Sequence, residues 1–225
     1  MKMQCFGAAT VAAMVVLACA GASTAAAQGQ PPPAMSAQQL FEAGQYDDAL
    51  KSIKDMRDKG SAGLPEAFLA AQAALKQTQN DRAKEEFARL TASDDPVWKL
   101  VGQSATAAIA NDRDGSLALA VKAVDATKVD PQDNPARKLR DFHAFYQLGL
   151  ARTLKEDWAG AAESFTRATE LNPTFAYAHY YAGLSYSRVK RPDQVAKYFE
   201  MFLKLAPKAP EKTAVQSLLR SIRGH

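Results

Sequence analysis

Residues 142–173 read FHAFYQLGLARTLKEDWAGAAESFTRATELNP. Phe142, Phe145, Leu148 and Gly149 mark one apolar stripe, and Trp158, Ala161, Ala162, Phe165 and Ala168 mark a second. Both have the three- and four-residue intervals of amphipathic helices. Each is too short to be stable alone in water, so the two must pack on each other. Gly149 falls in a helix interior, where glycine costs roughly 0.5–1 kcal/mol against alanine. The cost makes sense if two backbones approach there too closely for a side chain, with Ala161 opposite and Phe165 filling the gap beside it.

The unit recurs. At plus 34 stand Gly183, Tyr186, Val195, Phe199, Phe202 and Pro207. Working toward the N-terminus, a small or aliphatic residue followed four places on by a large one gives the pairs Ala49/Ile53, Ala83/Phe87, Leu117/Val121, Ala161/Phe165 and Val195/Phe199. Their separations are 34, 34, 44 and 34 residues. A fixed period of this length is the mark of a stacked repeat architecture. Helix pairs are expected at 36–43 and 46–58, 65–77 and 80–92, 96–110 and 114–127, 135–154 and 157–171, and 174–188 and 193–205. A closing helix at 211–222 carries Val215, Leu218, Leu219 and Ile222 on one stripe. Pro65, Pro96, Pro135, Pro192 and Pro210 fall at first helical turns, where a missing N–H is harmless. Asp95, Asn134 and Asn172 stand nearby as potential caps.

These residues resemble the tetratricopeptide signature, over about 36–207 of the chain. Arg152 departs from it, standing where the family usually has an aromatic, and Leu117 and Val195 replace the small residue. The resemblance implies an all-α, right-handed superhelical array of about five helix–turn–helix repeats with a C-terminal capping helix. The expected divisions are three degenerate repeats at 36–127, an insertion loop and helix start at 128–141, two clear repeats at 142–207, and the cap at 208–225. Lys128-Val129-Asp130-Pro131-Gln132-Asp133-Asn134-Pro135 holds ten extra residues and reads as a loop or a joint. Either one rigid array or two blocks jointed at 128–135 fits it.

The first 27 residues read as an address. Lys2 precedes an uncharged stretch from Cys5 to Ala20, and Ala25-Ala26-Ala27 offers a small-x-small cleavage site, as in a secretory signal peptide. Cleavage there leaves no cysteine, since Cys5 and Cys19 both lie upstream. Val16-Leu17-Ala18-Cys19 also resembles a bacterial lipobox, in which Cys19 would be acylated. Residues 28–35, with Pro31-Pro32-Pro33, form an extended linker. A periplasmic or secreted protein is expected, or alternatively an outer-membrane lipoprotein adaptor of an envelope-assembly complex.

Composition narrows the chemistry. The net charge is +4, from 28 basic and 24 acidic residues interspersed along the chain. Nucleic-acid binders usually gather basic residues into a stripe, and the nearest approach here is Arg137-Lys138-Leu139-Arg140 followed by Asp141. The histidines His143, His179 and His225 have no metal-ligand spacing. Glu85-Glu86 and Asp47-Asp48 read as solvent faces of second helices. With no phosphate loop and no nucleophile elbow, neither a cofactor nor a metal is expected. The chain is expected not to be an enzyme; an uncharacterised enzyme or small-molecule carrier, with a polar pocket near 128–140, is the rival.

In arrays that this chain resembles, first helices line a concave side that takes a peptide or protein segment. Carrying that phase over gives Phe68, Gln72, Leu75, Lys99, Thr106 and Ile109, then the partner-binding set His143, Tyr146, Leu150, Tyr177, Tyr180, Leu184 and Arg188. The tyrosines suit an interface, or else they pack between helices. A carboxylate clamp of Lys and Asn is not expected, because Tyr146, Leu150, Tyr180 and Leu184 occupy those places. A protein scaffold follows, touching a membrane only if Cys19 is lipidated.

Overall fold

Ser36 starts the first element with a capping box: its Oγ accepts from the Gln39 N–H at 3.2 Å, and Gln39 Oε1 accepts from the Ser36 N–H at 2.8 Å. Eleven helices follow among the described residues, which in this computed structural model are 35–128 and 134–224. They are Ala37–Glu42 (α1), Tyr46–Asp58 (α2), Leu64–Lys76 (α3), Asn80–Thr91 (α4), Pro96–Ile109 (α5), Arg113–Thr127 (α6), Pro135–Leu154 (α7), Trp158–Leu171 (α8), Ala176–Arg188 (α9), Pro192–Leu205 (α10) and Lys212–Arg223 (α11). Consecutive helices pair into five hairpins, with α11 closing the series. None is long and apolar enough to cross a membrane. The signal segment 1–27 with Cys19, the linker up to residue 34, and residues 129–133 of the insertion lie outside the described residues.

All five hairpins turn in the same way. The main-chain N–H groups of Gln45, Gln79, Asp112, Asp157 and Arg191 donate to the carbonyls five residues back, at 2.9–3.0 Å. The residue before each is left-handed: Gly44, Thr78, Asn111, Glu156 and Lys190, with φ between 57° and 77°. This double-bonded ending satisfies carbonyls that the last helical turn would orphan. Four of the five turns carry a side chain where glycine would be unstrained, so the sequence shows no glycine marker at them.

Caps set the other ends. Asp95 accepts from the Val97 and Trp98 N–H groups and Asn134 from that of Arg137. Asp112 and Asp157, which the sequence had not suggested, cap α6 and α8. Asn172 does not cap α9; its Oδ1 accepts within the preceding turn, from Thr174. Pro210 stands two residues ahead of α11 and not in its first turn.

Gly149 and Gly183 sit at the crossings anticipated for them. An added Cβ would lie 2.7 Å from the ring of Phe165 at the first and of Phe199 at the second. Arg152, in its unusual place, stitches the same hairpin together by donating to the Gly160 carbonyl at 2.8 Å and to Ser164 Oγ at 3.0 Å. Glu86 is not on a solvent face. It is buried and held by Arg57 through two bonds of 3.2 and 2.7 Å, which tie α2 to α4. The core continues past the insertion: α7 packs on α5 and α6, and Gln147 and Arg140 bond to Ser104 and Asp95.

The first hairpin also meets the last. Glu42 Oε1 accepts from the Ala176 N–H at 2.8 Å, capping α9 from a helix 134 positions away. Gln38 Nε2 donates to the Thr174 carbonyl at 3.2 Å, and the Phe41 ring lies 5.1 Å from that of Tyr177. Beside them Glu211 accepts from Lys76 Nζ at 2.9 Å and from the Tyr177 hydroxyl at 2.8 Å. A Cβ on Gly44 would fall 2.6 Å from Pro210. One side of the array is therefore bridged by its own ends.

Candidate functional site

This closure rewrites the expected groove. His143, Tyr146 and Tyr177 are core residues, exposed by only 4%, 1% and 0%. The expectation that the tyrosines point away from their own second helices fails, because Tyr146 packs on Phe165 of α8 and Tyr177 on Phe202 of α10. Phe68, Trp98 and Phe142 surround His143 with ring centroids 4.7–4.8 Å away. Tyr146 packs on Phe68, Phe165 and Phe175. Tyr177 is covered by Phe41 and Phe202. These three cannot present a surface to a partner, and the alternative, packing, is what the structure shows for them.

The chemistry of the buried groups is structural. His143 Nδ1 bonds the Leu139 carbonyl at 2.6 Å, and burial lowers its pKa to about 4 against the weaker opposing pull of that bond. Glu42 is raised by burial, partly offset by its bonds from Ala176 and Gln38. Burial also pushes Glu211 upward, but the bonds from Lys76 and Tyr177 outweigh it and leave the carboxyl below its usual range. No group of three or more His, Cys, Asp or Glu among the described residues is placed to hold a metal ion.

The rest of the expected set divides. Leu184 and Tyr180 are half-buried, packed against the cluster that α9 shares with α10 and α11. Arg188 is exposed with its guanidinium over the Trp158 ring, 5.2 Å from the centroid. Phe68 is buried, Lys99 is exposed, and Thr106 bonds back to the Gly102 carbonyl.

Gln72, Leu75, Ile109 and Leu150 do come together. They line a cavity of about 440 Å³ between the first helices α3, α5 and α7, with Tyr181 of α9 at one side. Ala105 and Ala108 on α5 supply walls too small to fill it, and Lys76, Asn80, Phe87, Gln147, Thr153 and Leu154 complete its lining. Gln147, Tyr181 and the two alanines escaped the sequence-level list. The visible signal for Gln147 was its spacing of four and three residues from His143 and Leu150, on the stripe that the groove-facing phase had picked out. A second cavity, of about 340 Å³, lies beside α1 and is lined by Ser36, Met56, Pro65, Phe142 and Phe175 among others.

No family model and no curated protein matches the chain. Among solved structures, it is similar to MamA AMB-1 at 21% identity over 80% of this chain and 92% of that one, with a TM-score of 0.42. A second structure of MamA gives 16% identity over 78% and 97%, with a TM-score of 0.43. The APC/C hetero-tetramer Cut9-Hcn1 gives 14% identity and a TM-score of 0.52 over 83% of this chain, which spans 35% of that one. The fold is thus an all-α array of tetratricopeptide-type helical hairpins.

Proposed function

We propose that the protein is a non-catalytic scaffold of the bacterial periplasm that holds a segment of another protein in the concave cavity. The observation that carries this is the cavity itself: first helices of three successive hairpins leave an apolar hollow at a place where the rest of that side is filled. Ligand sites are typically concave and largely apolar, with few polar groups. A protein-interaction role also suits the fold class, although fold never assigns a function alone. Export rests on the pattern of residues 1–27.

A photo-crosslinking residue at Leu154, which lines the cavity and is 37% exposed, tests the site against one at Val121, 39% exposed on α6. Leu154 should give a discrete adduct identifiable by mass spectrometry, and Val121 should not. Adducts from Val121 alone would move the interface elsewhere. For the compartment, the mature N-terminus decides. Gln28 supports a soluble periplasmic protein, an acylated Cys19 supports the tethered adaptor, and an unprocessed chain in the cytosol refutes export.

A further inference from the structure

Gln72, in the middle of α3, is 9% exposed and lines the concave cavity. Its side-chain amide has no hydrogen-bond partner among the described residues. The oxygen of Gln147, on the same lining, is sealed off, but both amide atoms of Gln72 keep accessible surface. Gln72 therefore offers a donor and an acceptor side by side to the hollow. Asn80, exposed on the same lining, is a second amide without a partner among the described residues. Lys76 is the one charged residue of the lining. It is already tied to Glu211 at 2.9 Å and lies 4.5 Å from the centre of the Tyr177 ring.

A neutral group that is donor and acceptor at once is best matched by another of the same kind. A charged side chain would find no free counter-charge in the wall. A purely apolar ligand would cover Gln72 and strand both of its amide atoms. A helix spends its own backbone N–H and C=O groups internally and would strand them too. A single side-chain amide from a partner would satisfy Gln72 or Asn80, not both. An extended segment brings a free N–H and C=O at successive peptide units, with side chains alternating to either side. The geometry points to an extended, uncharged partner segment held through its backbone, one peptide unit pairing with the Gln72 amide and another reaching Asn80. Its inward side chain sits among Leu75, Ile109 and Leu150. Main-chain bonds then supply affinity, and the apolar part of the hollow selects the side chain. This rests on the scaffold assignment above and specifies the conformation and chemistry of what is held.

The full chain is titrated with acetyl-Ser-Val-Ser-Val-Ser-Val-amide, a neutral peptide of high strand propensity, followed by NMR shifts of the Ile109 and Leu150 methyls. A series of ester analogues, each with one peptide N–H replaced by oxygen, is titrated in the same way. A helix-locked peptide of equal length, built on α-aminoisobutyrate, is the control. One ester should weaken binding about tenfold, the scale of a buried acceptor left without its donor, and the helix-locked peptide should bind more weakly than the extended one. In Gln72→Leu the ester effect should vanish. Should that variant not fold, the ester series on the unmodified chain decides, and a flat series overturns the assignment of Gln72. An ester effect that persists in Gln72→Leu overturns it as well. Equal or tighter binding of the helix-locked peptide overturns the extended conformation. If no peptide shifts these methyls while Leu154 still crosslinks a protein, this inference alone is overturned; if Leu154 crosslinks nothing either, the scaffold reading falls with it.

Discussion

At Gly149 an added Cβ would meet the Phe165 ring at 2.7 Å, so a larger residue must push the two helices of that hairpin apart. Gly149→Leu should cost about 1–3 kcal/mol by overpacking, read as a lower melting temperature; an unchanged melt would contradict the crossing. His143 yields a pH prediction. Its folded pKa of about 4 lies below the ordinary 6.5, so between these values the unfolded chain binds more protons than the folded one. The associated stability is complete above pH 6.5 and is lost as pH falls toward 4, on the order of 3 kcal/mol in all. His143→Phe should flatten that acid limb, leaving the smaller contribution of His179, whose pKa burial also lowers. A limb unchanged in denaturant titrations at pH 4.5 and 7 would show that other groups dominate. Both residues stood out in the sequence, Gly149 by its place in a repeat and His143 by its groove-facing phase. Only the glycine kept its expected role, because its neighbour comes from the same hairpin.

For the helices, the turns and caps decide stability. Thr78 is β-branched and left-handed at φ 59° in the α3–α4 turn, a placement costing roughly 1–2 kcal/mol for a non-glycine residue. Thr78→Gly should relieve it and, after the added unfolded-state entropy of glycine, raise stability by up to about 1 kcal/mol. A destabilised variant would mean that the hydroxyl bond to the Gln77 carbonyl outweighs the strain. The α9 terminus depends on Glu42, since Phe175 at its N-cap offers no side-chain acceptor. Glu42→Ala should cost about 1–3 kcal/mol and speed exchange of the Ala176 amide, whereas Glu42→Gln keeps an acceptor and should be close to neutral. Equal losses from both variants would assign the effect to the charge instead. The helix boundaries were legible to within a residue or two, since prolines and polar caps act locally. The cap on α9 was not, because its donor and acceptor are 134 residues apart in the chain.

Across the described residues, contact between first and last hairpins changes how the array should unfold. An open stack frays from its ends, each hairpin being held only by its neighbours. Here α1 caps α9, and Glu211 joins α3 to α9 through Lys76 and Tyr177. Amides of α2 and α10 should therefore exchange with nearly the same free energy as those of α7. Gly44→Val, which drives a side chain into Pro210 and strains a left-handed position, should loosen this link and let α11 exchange early. Early exchange of α2 in the unmodified chain would show that the closure adds nothing to cooperativity.

By itself the sequence determined the all-α class, the five hairpins, the 34-residue period and the glycine–phenylalanine crossings. The hairpins and crossings depend on residues less than one repeat apart, whose helical phase fixes what they meet, and the period is that same local pattern recurring along the chain. The tertiary structure alone decided which concave residues are open. Tyr146 and Tyr177 share the phase of Leu150, yet they are buried: Phe175 reaches Tyr146 from the last hairpin and Phe41 reaches Tyr177 from the first, while Phe165 and Phe202 of their own second helices complete the cover. Leu150 borders a hollow because Ala105 and Ala108, which face it, are too small to fill it, and Tyr181 of the last hairpin only borders one side. Helical periodicity specifies the direction of a side chain; whether that direction holds space or another side chain depends on how the hairpins curve back on one another.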